Sequence, residues 1–331
     1  MSPSAPRLAL TFGDFSGIGP ELGARLLSDP ENLERAQISL LVSPAELARA
    51  SELAGVEVPV GEEPGTGHVH LVETPLQDRE VPLRECSQEA GSRVLQDLST
   101  ALRLFQEGQA DSIMFLPLNK TALRLGGMHE EDELRWFAKS LGDTGFTSEL
   151  NFIPGLTTSR VTSHIPLAEV AEHISARSVL DSIELLHDVV RGTGVESPRI
   201  AVAALNPHAG ENGQFGREEI DHIAPAVALA RSGGLDVAGP FPSDTLFIKA
   251  RAGEFDGVVT MYHDQGQIAM KLMGFDQGVT VQGGLSVPIA TPAHGTAYEI
   301  VGTGKANIGP SQRAFEIAVD LGAQTARRRR A

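Results

Sequence analysis

Three histidines, His164, His208 and His263, each stand just past a short apolar run, 44 and 55 residues apart. In an open α/β sheet the C-terminal strand ends line the crevice that takes ligands, so imidazoles placed there can converge. Three neutral imidazoles with coordination positions left open suit a catalytic divalent metal, whether zinc, cobalt, manganese, magnesium or nickel. Any one of them alone reads equally well as an ordinary loop histidine. The flanks favour the metal, because Asn206-Pro207-His208-Ala209-Gly210-Glu211 and Tyr262-His263-Asp264-Gln265-Gly266 set polar and turn residues directly behind apolar runs. A merely structural loop needs no such chemistry.

Asp244, an acid within Pro242-Ser243-Asp244-Thr245-Leu246-Phe247, reads either as support for the metal shell or as a helix N-cap. Lys271 lies between Met270 and Leu272. It reads as a partly desolvated cation or proton donor for an anionic substrate, or as a lysine on a solvated helix face. Gly17-Ile18-Gly19-Pro20-Glu21-Leu22 and Gly302-Thr303-Gly304-Lys305-Ala306-Asn307 both lack the third glycine of the Rossmann fingerprint, which disfavours that dinucleotide fold. The first still opens a helical pattern, so its amides are candidates to approach an anion or a nicotinamide. Ahead of the second, His294-Gly295-Thr296-Ala297 offers backbone freedom and an imidazole to stack, with Asn307 to hydrogen-bond; a plain turn is the simpler alternative.

The elements that must position these residues alternate. Apolar runs predict strands at 7–12, 38–42, 112–116, 160–162, 199–205 and 256–261. Helical spacing marks 20–27, 89–105, 179–190, 218–230 and 312–321. This order predicts β/α units on a largely parallel sheet. Residues 55–68, rich in Gly, Pro and Glu, read as an exposed loop, and Arg327 to Arg330 as a solvated tail.

At 331 residues the chain has room for about two domains. Its 43 acidic against 27 basic side chains give a net charge of −16, a surface that repels nucleic acid and anionic lipid. A single cysteine, Cys86, excludes an intrachain disulfide and cysteine-rich zinc folds, so a reducing, cytoplasmic setting is expected. The first ten residues hold no signal-peptide core, and no stretch is apolar for long enough to span a membrane.

Taken together, the segments resemble the PdxA family of 4-hydroxythreonine-4-phosphate dehydrogenases. The likeness runs from Gly13-Asp14-Phe15-Ser16-Gly17-Ile18-Gly19-Pro20-Glu21 to His294-Gly295-Thr296-Ala297. Its most specific stretches are Leu205 to Glu211, Gly239 to Phe247 and Tyr262 to Gly266. The resemblance implies an α/β fold of two α/β/α domains around a cleft, like isopropylmalate and isocitrate dehydrogenases. Residues 1–128 with 285–331 would form the NAD side, and 129–284 the metal and dimer side. It also implies an NAD-dependent oxidation of a β-hydroxy acid that ends in decarboxylation. His164, His208 and His263 would hold the metal, with ligands from both subunits of a homodimer. Gly13, Asp14, His294, Gly295 and Asn307 would surround NAD, Asp244 would support the metal, and Lys271 would contact substrate or return a proton.

Several positions depart from the family pattern. Where the family carries Gly-His-Thr-Glu to hold the substrate phosphate, this chain reads Asp132-Glu133-Leu134-Arg135, and a shifted alignment recruits His129 instead. Acids beside a phosphate dianion repel it. The family's substrate-binding Asn and Arg fall on Thr280 and Ile289, and an Asp falls on Ala293. With Gly283-Gly284-Leu285, these changes look more like the terephthalate dihydrodiol dehydrogenase branch, so a carboxylated cis-dihydrodiol is the expected substrate and 4-hydroxythreonine 4-phosphate the alternative. A metal-dependent lyase without nucleotide, separable by NADH quenching of Trp136, and a non-catalytic binding protein are the competing classes.

Overall fold

The computed structural model describes residues 5–77 and 79–330. In chain order the elements begin β1 Arg7–Thr11, α1 Gly19–Leu27, α2 Pro30–Arg35, β2 Gln37–Leu40, α3 Pro44–Ala54, β3 Val60–Gly61 and β4 Val69–Leu71. Next come α4 Gln88–Gln106, β5 Ser112–Phe115, α5 Lys120–Leu125, α6 Glu133–Leu141, β6 Ser148–Ile153, β7 Leu156–Arg160, α7 Val170–His173 and α8 Ala176–Gly192. The remainder are β8 Ile200–Ala203, α9 Ala224–Ser232, β9 Val237–Phe241, α10 Ser243–Arg251, β10 Gly257–Thr260, α11 His263–Gly274, β11 Val279–Gly283, β12 Ile289–Pro292 and α12 Gly309–Arg330.

The chain divides into two compact units, Met1–Asp143 with Leu285–Ala331, and Thr144–Gly284. In the first, the strand order is β3-β4-β2-β1-β5-β12, with every pairing parallel. Its core sets Ile113 and Phe115 of β5 and Ile289 of β12 against Val94, Leu98 and Leu102 of α4. Helix α6 belongs here, because its Phe137 is fully buried in that core with its ring 5.9 Å from that of Phe115. Residues 133–141 therefore pack with the first unit, outside the 1–128 limit drawn from the resemblance.

Local signals set the helix ends. Ser43 and Glu46 form a reciprocal capping box at the start of α3, Pro44 supplies the first-turn φ, and Gly55 closes the helix at φ 68°.

In the second unit the order is β11-β6-β7-β10-β8-β9. Strands β7, β10, β8 and β9 run parallel, but β6 pairs antiparallel with both β7 and β11. The sheet is largely parallel as expected, with β6 the antiparallel exception. Ile153 pairs with Leu156 across a two-residue turn, Pro154-Gly155, and Gly155 takes φ 77°.

Two further expectations fail for physical reasons. The strand placed at 160–162 is β7, Leu156–Arg160, whose Thr157, Thr158, Ser159 and Arg160 are buried although polar. Their hydrogen bonds make burial tolerable: the Ser159 and Ser182 hydroxyls meet at 2.9 Å, and Arg160 is fully engaged. The arginine tail is not simply solvated either. Helix α12 runs on to Arg330, and Arg329 donates to the carbonyls of Ala110 (2.8 Å) and Phe105 (2.9 Å) while its guanidinium lies 4.2 Å from the Phe105 ring centroid.

Candidate active site

Strands β7, β10 and β8 are consecutive neighbours and parallel, so their C-terminal ends lie on one side of the sheet. His164 follows β7 by four residues, His263 follows β10 by three, and His208 follows β8 by five. The structure brings the His164 and His263 rings to 5.8 Å between centroids, while His208 makes its ring contact with Phe215 at 6.3 Å. His263 Nδ1 lies 2.7 Å from an Asp264 carboxylate oxygen. That contact fixes the proton on Nδ1 and leaves Nε2 as the lone-pair donor, the usual arrangement for an imidazole that binds a metal. His164 and His263 are thus the two imidazoles placed to share an ion, and within the single chain His208 is not grouped with them. The sequence contained Asp264 inside the quoted motif, but its role needed this geometry.

Beneath His164 lies a buried network that spacing does not reveal. Arg160 donates from Nε to Ser163 Oγ (2.9 Å) and from Nη1 to Asn151 Oδ1 (2.9 Å), and pairs with Glu149. Gln267 of α11 donates to the same Asn151 oxygen. The loop carrying His164 and the helix opening at His263 are thus tied to one polar cluster.

The His208 segment has the least ordinary backbone in the chain. His208, Ala209, Gly210, Glu211 and Asn212 all take positive φ, between 42° and 78°. Left-handed conformations cost L-residues about 1–2 kcal/mol each, so such a turn persists only where its surroundings hold it.

Asp244 is exposed in the first turn of α10, and Pro242 occupies the cap position, so the N-cap reading is excluded. The neighbouring Ser243 hydroxyl donates to the Ala204 carbonyl at 2.8 Å, fastening α10 to the end of β8. Lys271 lies two turns along α11 from His263 and is exposed, so the desolvated cation is not seen in a single chain.

The glycine-rich segments assemble in the first unit. Gly13 takes φ 67°, and a Cβ there would come within 2.2 Å of the Leu116 carbonyl oxygen, so only glycine fits. Asp14, fully buried, accepts from Ser16 N (2.9 Å) and from the Tyr298 hydroxyl (2.6 Å). Burial holds the Asp14 carboxyl above its usual range, and burial with the adjacent carboxylate raises the Tyr298 phenol. Ile18 N donates to the Thr296 carbonyl at 3.0 Å, tying the opening of α1 to the His294 segment.

The His294 segment is the part of this assembly with unspent capacity. Its Nδ1 donates to the Gly295 carbonyl at 3.2 Å, its buried Nε2 meets no hydrogen-bond partner, and burial lowers its pKa. A neutral imidazole with a free lone pair fits a ligand amino or hydroxyl group, and nothing crowds Gly295 beside it. Asn307 instead accepts from Gly309 N at 3.0 Å, where α12 begins. These residues fit a dinucleotide at His294 and Gly295 and give Asn307 a helix-starting contact.

The departing positions carry structural duties. Asp132 is the N-cap of α6, accepting from Arg135 N at 2.8 Å. Ile289 is fully buried in the core, and Thr280 Oγ1 accepts from Asn151 at 3.2 Å.

Against known proteins, residues 25–318 match the family described as "Pyridoxal phosphate biosynthetic protein PdxA". A Pseudomonas aeruginosa protein described as "Putative 4-hydroxythreonine-4-phosphate dehydrogenase 2" is 50% identical, covering 97% of this chain and 98% of its own. The D-threonate 4-phosphate dehydrogenase of Cupriavidus necator is 35% identical over 99% of this chain and 100% of its own. Among solved structures, a 4-hydroxythreonine-4-phosphate dehydrogenase from Burkholderia phymatum superposes with TM-score 0.80 at 34% identity, covering 96% and 98% of the two chains. A terephthalate 1,2-cis-dihydrodiol dehydrogenase from Burkholderia xenovorans reaches 0.73 at 27%, with the same coverage. The isocitrate dehydrogenase of Methylococcus capsulatus, at 14% identity and TM-score 0.50, shares the fold alone. The expected preference for a dihydrodiol is overturned by this ranking, since relatives named for phosphate esters are nearer in sequence and in structure. The substitutions that suggested the diol are those just seen to cap a helix and fill a core. Matched over most of its length, and with half its positions shared with one relative, the chain belongs to the PdxA family of dehydrogenases.

Proposed function

We propose that this dehydrogenase, an oxidoreductase of CH–OH groups, acts on a four-carbon 3-hydroxy acid phosphorylated at C4, using NAD and one divalent metal. The two substrates for which its relatives are named, 4-hydroxythreonine 4-phosphate and D-threonate 4-phosphate, share that skeleton. Oxidation at C3 sends hydride to the nicotinamide and gives a β-keto acid, whose carboxylate leaves as carbon dioxide. A bound divalent ion would supply Lewis-acid polarisation at the oxygen carried by C3.

The observation that carries the metal reading is the His164–His263 pair with Asp264 behind it. His208, at the end of the neighbouring strand, is the third ligand on this reading. His294 with Gly295 receives the dinucleotide, and the Asp14–Tyr298 bond holds that segment in place. Lys271 on α11 reaches substrate or returns a proton, and Asp244 borders the metal.

Helices α10 and α11 also support a homodimer. Ile248 is 70% exposed, Ile268 61% and Leu272 84%, an apolar set on two adjacent helices that also bear Asp244, His263 and Lys271.

The deciding assay follows NADH absorbance with Co²⁺, Zn²⁺ or Mn²⁺ added to chelator-treated protein. Turnover of either C4-phosphorylated acid, abolished by chelator, is expected. Turnover of a terephthalate cis-dihydrodiol with none on the phosphates would overturn the substrate assignment.

A further inference from the structure

We infer that Glu219 is the positioning residue for His208, its buried carboxylate clamping the left-handed turn that presents the imidazole. Glu219 is 3% exposed and opens a wide helical turn, Glu219–Ile223, in which Ala224 N donates back to the Glu219 carbonyl. Its side chain points away from that turn into the loop behind β8. One oxygen accepts from Leu205 N (2.8 Å) and Asn206 N (2.7 Å), and the other accepts from Asn206 Nδ2 (2.9 Å). Gly210 closes over the same carboxylate, since a Cβ there would lie 2.7 Å from the second oxygen. The clamp thus grips the loop on both sides of His208, at 205–206 and at 210.

The chemistry requires a carboxylate. All three donors are N–H groups, and an ionised acid is acceptor-only at both oxygens. Glutamine in its place turns one oxygen into an NH₂ that faces Asn206 Nδ2, donor against donor. The Asn206 amide cannot simply flip, because the same Nδ2 also donates to Glu218 Oε2 at 2.6 Å. Without the clamp the run of positive φ from His208 to Asn212 loses what holds it and relaxes toward ordinary backbone, carrying the imidazole with it.

This inference rests on the reading of His208 as a metal ligand, and the test separates the two. Co²⁺ affinity is measured by visible absorption for the parent, Glu219→Gln and Gly210→Ala, together with amide hydrogen exchange of residues 205–216 in the metal-free proteins. Both variants are expected to bind Co²⁺ about 10–100-fold more weakly. Exchange at 205–216 should rise at least about tenfold while that of α8 stays unchanged, which separates a local release from general loosening. Gly210→Ala attacks the contact from the loop side and stands in if Glu219→Gln does not fold. Parent-like Co²⁺ affinity in a folded variant overturns the inference. A parent that takes up no Co²⁺ removes the metal reading instead, and unchanged exchange at 205–216 then overturns the clamp itself.

Discussion

At the scale of single residues, the site's chemistry depends on groups that fix protons and orientations. Asp264 sets which nitrogen of His263 is free, so Asp264→Ala is expected to weaken Co²⁺ binding about 10–100-fold with the fold intact; unchanged affinity by absorption titration would deny Asp264 that role. Asp14 serves Tyr298 and Ser16 N with its two oxygens, and Asp14→Asn, its NH₂ turned toward the Tyr298 oxygen, replaces the charge-assisted Tyr298 bond with a neutral one. NADH affinity, read by Trp136 fluorescence, should fall about tenfold while Co²⁺ affinity holds, since a hydrogen bond to a charged group contributes about 1.5–3 kcal/mol. The histidines were legible in the sequence because each stands a few residues past the end of a strand. Asp264, Glu219 and Arg160 were not. Their roles lie in which side-chain and backbone atoms meet in the folded loops, as at Asp264 with His263 and Glu219 with Leu205 and Asn206, which residue spacing does not encode.

At the scale of elements, legibility followed apolarity. Strands β5, β8 and β10 are buried along their whole length and read as mostly apolar runs, and helices α4 and α8 show their buried stripe. Strands β6, β7 and β11 carry polar residues, with Ser148 bonded to the Arg160 carbonyl and Asn151 to Thr280 across the sheet, so they lack that signature. The tail of α12 misled in the same way, since four arginines in a row suggest solvent. Arg329 instead joins Asp111, which also binds Arg7 through both oxygens, and so fastens α12 to β1 and β5. Arg329→Ala should cost about 1–2 kcal/mol from its lost hydrogen bonds, whereas Arg328→Ala should stay within about 0.5 kcal/mol; equal melting temperatures would show the tail to be idle. Burial pushes the Asp111 carboxyl up, but its bonds to Arg7 outweigh that and hold it below its usual range. Between the folded value and the unfolded value of about 3.9, the unfolded chain binds a proton that the folded chain lacks. This stabilisation is therefore complete above about pH 5 and lost as pH falls through the folded value. Asp111→Asn should lower the melting temperature at pH 7 and flatten its decline below pH 4.

At the scale of the whole molecule, an apolar set remains exposed on the unit that bears the histidines. Ile268 and Leu272 are four residues apart on α11, hence on one helix face, and Ile248 adds to them from α10. Single exposed apolar residues are ordinary, but three on adjoining helices beside Lys271 and His263 point to a covered surface. On the proposed homodimer a second copy of the chain would cover this face, α11 approaching its counterpart about a two-fold axis. That proposal would also bring the exposed His208 and Lys271 next to a second chain. Leu272→Glu places a carboxylate in the middle of that face, and light scattering after gel filtration should show dimer converting to monomer. Co²⁺ affinity should fall with it by at least about tenfold, because a site built from two copies loses ligands when they part. A parent that runs as a monomer would remove the dimer. A Leu272→Glu protein that stays dimeric would move the interface to another face, and one that becomes monomeric yet binds Co²⁺ as tightly as the parent would place all the ligands within a single chain.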